Sequence, residues 1–563
     1  MTFSSKRLSS LLRHKIILFA VAPLLFYLAF LFIFQQHYFI HFSTAFDLDA
    51  GDGYQNVWNI WWVNHALMQG SSPYFTTMLD WPYGITLIPQ TMNIYNGLVG
   101  VVLMNVFQFS LVEAVNFAVL SSFVLGGLFM MWFIYDRVGD YKIALLSGFL
   151  FTFSSYHFAH AQGHLQLTSL QFVPLFLFFY WRMLDRRAIK YAVAAALSLF
   201  LVMLCDYYYL LWCVVLGAGW FIYSIKQQPK QYLQKRAIAA ISIFGVLSAV
   251  LILPLLLKLS WLSKHGNLTG QHDPLAFSLD PFTIFMPGGA NALGQIFTVQ
   301  YWTKLPYMSE MSVYFGLIVI AGLLYALWKM YTSRKQKETK VFINKTIFWW
   351  ITLVIFGLLA LGPRLRIYTI RLDSIPMPYA WLEAVWPTLQ ISGMPVRWIF
   401  ISHIAAIVIL AFVLKYYVPK KVWKNTFLIV AVGVIILVDT LPTALPQAKS
   451  QPRQYVYELK QLPAGAVIDN AALSSAQQLF HQTIHNKPMA FGYTTRSTKE
   501  IDEKNFHIFA ALEQGRHQDI CRKYKIRYVT TPVNKPLKTD MPIIYKDTNS
   551  QIYDFKNSAN CEL

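Results

Sequence analysis

The sequence predicts an all-α polytopic membrane domain of about eleven transmembrane helices followed by a small soluble α/β domain. Three observations predict it. Apolar residues make up 56% of the chain and charged residues only 13%, outside the range of soluble domains. Apolar runs long enough to cross about 30 Å of hydrocarbon as helix recur through the first 440 residues and then stop. Basic residues also fall almost entirely in alternate loops.

The first run, 16–34, follows Lys6, Arg7, Arg13 and Lys15. It is too long for a signal-peptide core and no small-residue cleavage site follows, so it reads as a retained span with a cytoplasmic basic flank. Further spans are expected at 112–134, 143–160, 167–183, 190–205, 207–225, 237–257, 311–328, 346–362, 398–416 and 425–441. One more apolar run, 94–109, would reverse every later loop if it crossed.

Loop charge decides that question. If 94–109 lies along the membrane surface, the loops on the N-terminal side carry 24 basic residues and the opposite loops seven. That asymmetry puts the N-terminus inside and the C-terminus outside. The net charge of +20 is then mostly cytoplasmic lysine and arginine facing anionic lipid, and implies no nucleic-acid partner. The expected division is a membrane domain over 1–441, with external loops 36–111 and 258–310, and an external α/β domain over 442–563. In the latter, strands are expected at 466–468, 528–531, 543–545 and 552–555, and helices at 474–483 and 508–524.

Candidate chemistry concentrates in the outward loops. The first, 36–111, contains no lysine or arginine, so Asp47, Asp49, Asp52 and Asp80 stand without basic neighbours in sequence. Three of these acids precede an aromatic-rich stretch with Trp58, Trp61 and Trp62, suited to a helix in the headgroup layer. Such carboxylates fit a site that accepts a proton or binds a cation, or else hydrated helix caps. The second loop holds His157, His160 and His164, the last two spaced to share a helical face. That spacing suits a metal or a proton relay, or interfacial hydrogen bonding.

Asp206 opens the next short turn, and Arg364, Arg366, Arg371 and Arg397 supply the last outward loop. An arginine fork suits phosphate oxygens, which makes Arg397 the preferred phosphate ligand and Arg364 its alternative; snorkelling to lipid is the ordinary reading. Cys521 and Cys561 fall in the external domain, where a disulfide is permissible. His481, His485, Lys487, Tyr493 and Arg496 there are candidate acceptor contacts or plain surface residues.

The stretches Gly-Asp-Gly-Tyr-Gln-Asn-Val-Trp-Asn-Ile-Trp-Trp from Gly51, Trp-Pro-Tyr-Gly from Trp81 and Phe-Ser-Ser-Tyr-His-Phe-Ala-His-Ala-Gln-Gly-His from Phe153 carry a resemblance. With the layout of one span, a long acidic external loop and surface helices, they resemble the GT-C superfamily of membrane glycosyltransferases, near uncharacterised bacterial YfhO-like members. The resemblance implies an inverting transfer of a sugar from a polyprenyl-phosphate carrier to a glycan, lipid or protein acceptor on the outer face of the plasma membrane. It implies Asp52 as the essential aspartate, with Asp49 second. Tyr54, Trp61, His157, His160, His164, Asp206, Arg364 and Arg397 are then expected to contact substrate. Many relatives carry a carboxylate where this chain has histidines, so a divalent metal is a candidate cofactor rather than an implied one. The competing classes are a lipid-linked glycan flippase and a non-catalytic envelope-assembly protein. A flippase should bury ionisable groups mid-span, and these spans have few.

Overall fold

The computed structural model describes residues 15–557 except 91, 271, 306–308, 387–388, 390–392 and 420. Lys6, Arg7 and Arg13 of the basic flank, Lys420 and Cys561 lie outside the described residues. Cys521 is disulfide-bonded, and Cys205 and Cys213 are free and buried.

The molecule is mostly helical and membrane-embedded. Among the described residues seven helices are long and apolar enough to cross a bilayer: Ile17–Phe34, Leu111–Val138, Leu165–Arg186, Tyr207–Gln227, Lys235–His265, Lys337–Ala360 and Pro395–Tyr417. Five shorter apolar helices accompany them: Ile94–Asn105, Tyr141–Thr152, Ile189–Cys205, Leu317–Thr332 and Thr426–Thr440. The Pro395–Tyr417 segment is the bundle's axis, with every residue from Ile399 to Val413 buried. Thr426–Thr440, by contrast, presents Phe427, Val430, Val434 and Ile435 outward, the face expected toward lipid.

Polar caps fix where the helices begin. Ser110 and Glu113 form a capping box at Leu111–Val138, and Asp140 caps Tyr141–Thr152. That helix ends at Thr152 rather than near 160 as the apolar run suggests. Ser154 restarts the chain as the short helix Ser155–Ala161, so the histidines stand outside the span. The helix expected from 311 begins at Leu317, because the Asp439 carboxylate accepts the Leu317 amide at 2.7 Å and the Tyr314 hydroxyl at 2.6 Å and holds the preceding residues extended.

The 448–557 stretch holds a four-stranded sheet in the order Ile543–Lys546, Ser550–Asp554, Ile526–Pro532, Ala466–Asp469, parallel only between the last two. The helix expected at 508–524 is two, Lys499–Glu513 and His517–Tyr524, broken at Gly515 with φ +69°; Gln454–Gln461 adds an unexpected one. This lobe sits on the Asp52–Met68 helix. Phe480 stacks on Tyr54 with centroids 4.8 Å apart, and the Trp58 indole donates to Gln482 at 2.6 Å. Beside it, Lys504 and Asp80 form a buried ion pair at 3.4 Å.

Candidate functional site

Six chain segments far apart in sequence converge at one end of the bundle. Asp52 is the first residue of the Asp52–Met68 helix. The preceding turn is held by Asp49, whose Oδ1 accepts the amides of Gly51 at 2.8 Å and Gly53 at 2.9 Å. The Asp49 amide in turn donates to the Gln162 carbonyl at 2.6 Å, and a side chain at Gly163 would collide with the Asp49 carboxylate. A glycine there is what lets the acidic loop and the histidine loop lie against each other. Asn56 ties them again, donating to the Gly163 carbonyl at 2.7 Å.

That contact sets His164 Nε2 3.0 Å from Asp52 Oδ2. Its Nδ1 then faces His160 Nδ1 at 3.5 Å and Glu310 Oε1 at 3.9 Å. Glu310 arrives from the long 266–316 loop and forms a buried forked pair with Arg397, Nε to Oε2 at 3.1 Å and Nη2 to Oε1 at 2.5 Å. The Arg397 guanidinium lies over the Tyr208 ring, 5.1 Å from its centroid, just past Asp206, which caps the Tyr207–Gln227 helix through the Tyr208 and Tyr209 amides. The Tyr493 hydroxyl donates to Asp52 Oδ1 at 2.8 Å.

The electrostatics follow from burial set against these partners. Burial alone would raise the Asp52 carboxyl, but the hydrogen bond and charge of His164, with Tyr493, hold it below its ordinary value. Burial opposes a charge on His164, yet Asp52 and Glu310 lift its pKa above that of free imidazole. His160 is pushed down to about 3, chiefly by burial. Glu310 is held well below the carboxylate range because the Arg397 charge outweighs burial. Burial lifts Asp206 to about 6 against the pull of Arg397.

The set His160, His164 and Glu310 fits a divalent ion. One donor atom from each lies within 4.8 Å of the others, a spacing that would contract toward the about 3.3 Å separating N and O donors around tetrahedral zinc. The buried Nε2 of His160 has no hydrogen-bond partner among the described residues. His164, with Nε2–H given to Asp52, offers Nδ1 in the carboxylate–histidine arrangement typical of metal ligands.

Of the residues singled out from sequence, Asp49, Asp52, His160, His164, Asp206, Arg397 and Tyr493 meet here. Others are taken up elsewhere. Both ring nitrogens of His157 are engaged, by the carbonyls of Thr152 and Thr168 at 2.8 and 3.0 Å, and the ring stacks on Phe123. The Tyr54 hydroxyl donates to the Lys449 carbonyl at 2.9 Å, and Trp61 stacks on His65. Arg364 starts a hairpin, Arg364–Ile367 with Ile370–Pro376, and lines a separate cavity of about 540 Å³ with His272, Asp273, Asp373 and Glu383. Arg397 differs most from expectation, since its fork is already engaged by a carboxylate. Glu310 belongs to no motif, and its signal was positional: it is the one acid between Asp280 and Glu338.

Among solved structures, the chain resembles arabinofuranosyltransferase AftD from Mycobacteria at TM-score 0.53 and 12% identity, covering 91% of this chain and 35% of that one. The Archaeoglobus fulgidus oligosaccharyltransferase in the apo form gives 0.45 at 11%, covering 91% and 69%. ArnT from Cupriavidus metallidurans bound to undecaprenyl phosphate gives 0.41 at 11%, covering 95% and 98%. These neighbours are GT-C glycosyltransferases, and what the chain shares with AftD at such identity is the fold. A link to YfhO-like proteins is not shown, and no curated protein matches the sequence. A family model described as a domain of unknown function, DUF6311, matches residues 98–440, beginning after Asp52 and ending before the sheet-bearing lobe. The chain belongs to the DUF6311 family.

Proposed function

We propose that the protein is an inverting membrane glycosyltransferase that moves a sugar from a polyprenyl-phosphate carrier to an acceptor hydroxyl on the outer face of the plasma membrane. The observation that carries this reading is the Asp52 carboxylate. It is one third exposed, fixed through both oxygens, and set beside His164 and the buried Glu310–Arg397 pair. In this reading eleven helices cross, Ile94–Asn105 lies along the surface, and 442–563 forms an external α/β domain over the loops.

The chemistry needs one carboxylate. As the acceptor oxygen bonds to the anomeric carbon, its proton passes to Asp52. The bond from that carbon to the phosphate oxygen breaks, and the lipid phosphate departs with the electron pair. A glycosidase would need a second carboxyl as acid, whereas Glu310 is locked on Arg397 and held ionised. His164, whose pKa Asp52 and Glu310 raise, and Arg397 supply positive potential for the departing phosphate. A divalent ion held by His160, His164 and Glu310 would take the place of the His164 Nδ1 proton and supply the positive charge instead. The acceptor class, whether glycan, lipid or protein, is open to the same experiment that tests the reading.

Cells with and without the protein are compared by mass spectrometry of lipid-linked sugars and envelope glycans. Loss of the protein should accumulate one donor and remove one sugar from the envelope. Asp52→Asn should reproduce that loss while being made and inserted normally. Transfer by Asp52→Asn at the parent rate would falsify the assignment.

A further inference from the structure

Tyr493 belongs to the sheet-bearing lobe, 441 positions from Asp52, yet it supplies half of what fixes that carboxylate. A carboxylate held through one oxygen can still swing about its last torsion, whose wells are broad. Here Oδ2 meets His164 and Oδ1 accepts the Tyr493 hydroxyl, so the plane of the group is set. The Tyr493 carbonyl also accepts from Gln55 Nε2 at 2.9 Å, three residues after Asp52 on the same helix. One tyrosine thus grips a single helical turn through both its phenol and its backbone.

The segment carrying it is itself tied down on both sides. A Cβ at Gly492 would lie 2.8 Å from Asp80 Oδ2, so the chain passes close to the first loop. The Arg496 amide and carbonyl pair reciprocally with the Gln90 side chain at 3.1 and 2.5 Å. Arg496 Nη1 donates to the Gly270 carbonyl at 2.6 Å, and Ser497–Thr498 pairs with Leu268–Thr269. Residues 492–498 therefore strap the acidic loop to the loop that delivers Glu310.

We propose that Tyr493 is a positioning residue for Asp52, so that this strap makes the C-terminal lobe part of the transfer site. The proposal rests on the reading of Asp52 as the base. Each carboxylate oxygen has two lone pairs, so the phenol orients the group and leaves a lone pair for the acceptor proton. Tyr493 keeps 36% of its surface exposed, at the rim where an acceptor enters.

The test is turnover by Tyr493→Phe in the full-length protein. Lipid-linked sugars extracted from cells lacking the protein serve as donor, and envelopes of the same cells as acceptor. Maximal turnover should fall about tenfold, the loss expected for one hydrogen bond to a charged group. The donor KM and the Kd for undecaprenyl phosphate, used as binding probe, should not change. Gln55→Ala, which loosens the same grip from the helix side, should lower turnover in the same direction by a smaller factor. Turnover at the parent level, or a rise in KM or Kd that accounts for the whole loss, overturns the proposal. Asp52→Asn run in parallel separates the two claims: if it turns over like the parent, the base assignment fails; if it is inactive while Tyr493→Phe is unimpaired, only the positioning role fails.

Discussion

Two clusters in this molecule are built from the same side chains and differ in what surrounds them. At one end of the bundle Asp52 meets His164 at 3.0 Å; in the sheet-bearing lobe Asp469 meets His481 at 2.7 Å. The second pair is wholly enclosed, with Asp469 also accepting from Tyr455 at 2.9 Å and Thr530 at 2.6 Å. Every oxygen of that carboxylate is spent on the fold. The first pair keeps 34% of the Asp52 side chain and 20% of His164 open. A carboxylate–imidazole pair is thus a fastening when sealed and a reactive group when one side faces a substrate.

The comparison breaks hardest at the buried support of the open site. Glu310→Gln leaves the Arg397 charge enclosed without its carboxylate and should cost about 3–5 kcal/mol, read as loss of folded protein and a lower melting temperature. Glu310→Leu combined with Arg397→Met should recover most of the folding and none of the transfer. Next in size is ion binding. The parent should take up one equivalent of Zn²⁺ in equilibrium dialysis, and His160→Ala or His164→Ala should weaken it by at least about a hundredfold. His481→Ala should leave that affinity alone.

Smaller effects test the sealed side. Tyr455→Phe should lower stability by about 1–2 kcal/mol, with transfer per folded molecule unchanged. The last, confined to one end of the pH range, concerns Asp47, whose carboxyl is lifted to about 7 by burial, against the pull of the Gln447 side chain; its Oδ2 has no hydrogen-bond partner among the described residues. The folded state then keeps a proton that the unfolded chain releases, so stability declines as pH rises from the ordinary carboxylate range to about 7. Asp47→Asn should remove that decline and stabilise the protein at pH 8, with no gain near pH 4, as melting temperatures across that range would record.

Much of the membrane fold was legible because hydropathy and loop charge are additive along the chain. The apolar helices recur where the runs lie, and the ends were missed where a polar cap overrides hydropathy. Ser154 stops one helix early, and Asp439 delays another by reaching 122 positions back to Leu317. The site was legible where a motif is local, as with Asp52, His160 and His164. Glu310 carried only a positional signal, because its meaning lies in Arg397, 87 positions away. Sequence marks each as a lone charge, and only the fold makes them a pair. His157 stands apart from that cluster, since its helix turns it inward onto backbone carbonyls.

The two strands Ala45–Phe46 and Ala448–Lys449 pair antiparallel, and Gln35 bonds the Thr443 carbonyl and the Leu445 amide, each at 2.9 Å. These contacts join segments about 400 positions apart, which sets an order of assembly during synthesis. Ribosomes add about 5–20 residues per second, so Asp52 waits tens of seconds for Tyr493 to be made. Until then the acidic loop has no lid and no seam to rest on. The protein is therefore assembled with Asp52 first and the strap that holds it last, and a chain truncated before the seam should insert in the membrane with its helices in place and this cluster unformed.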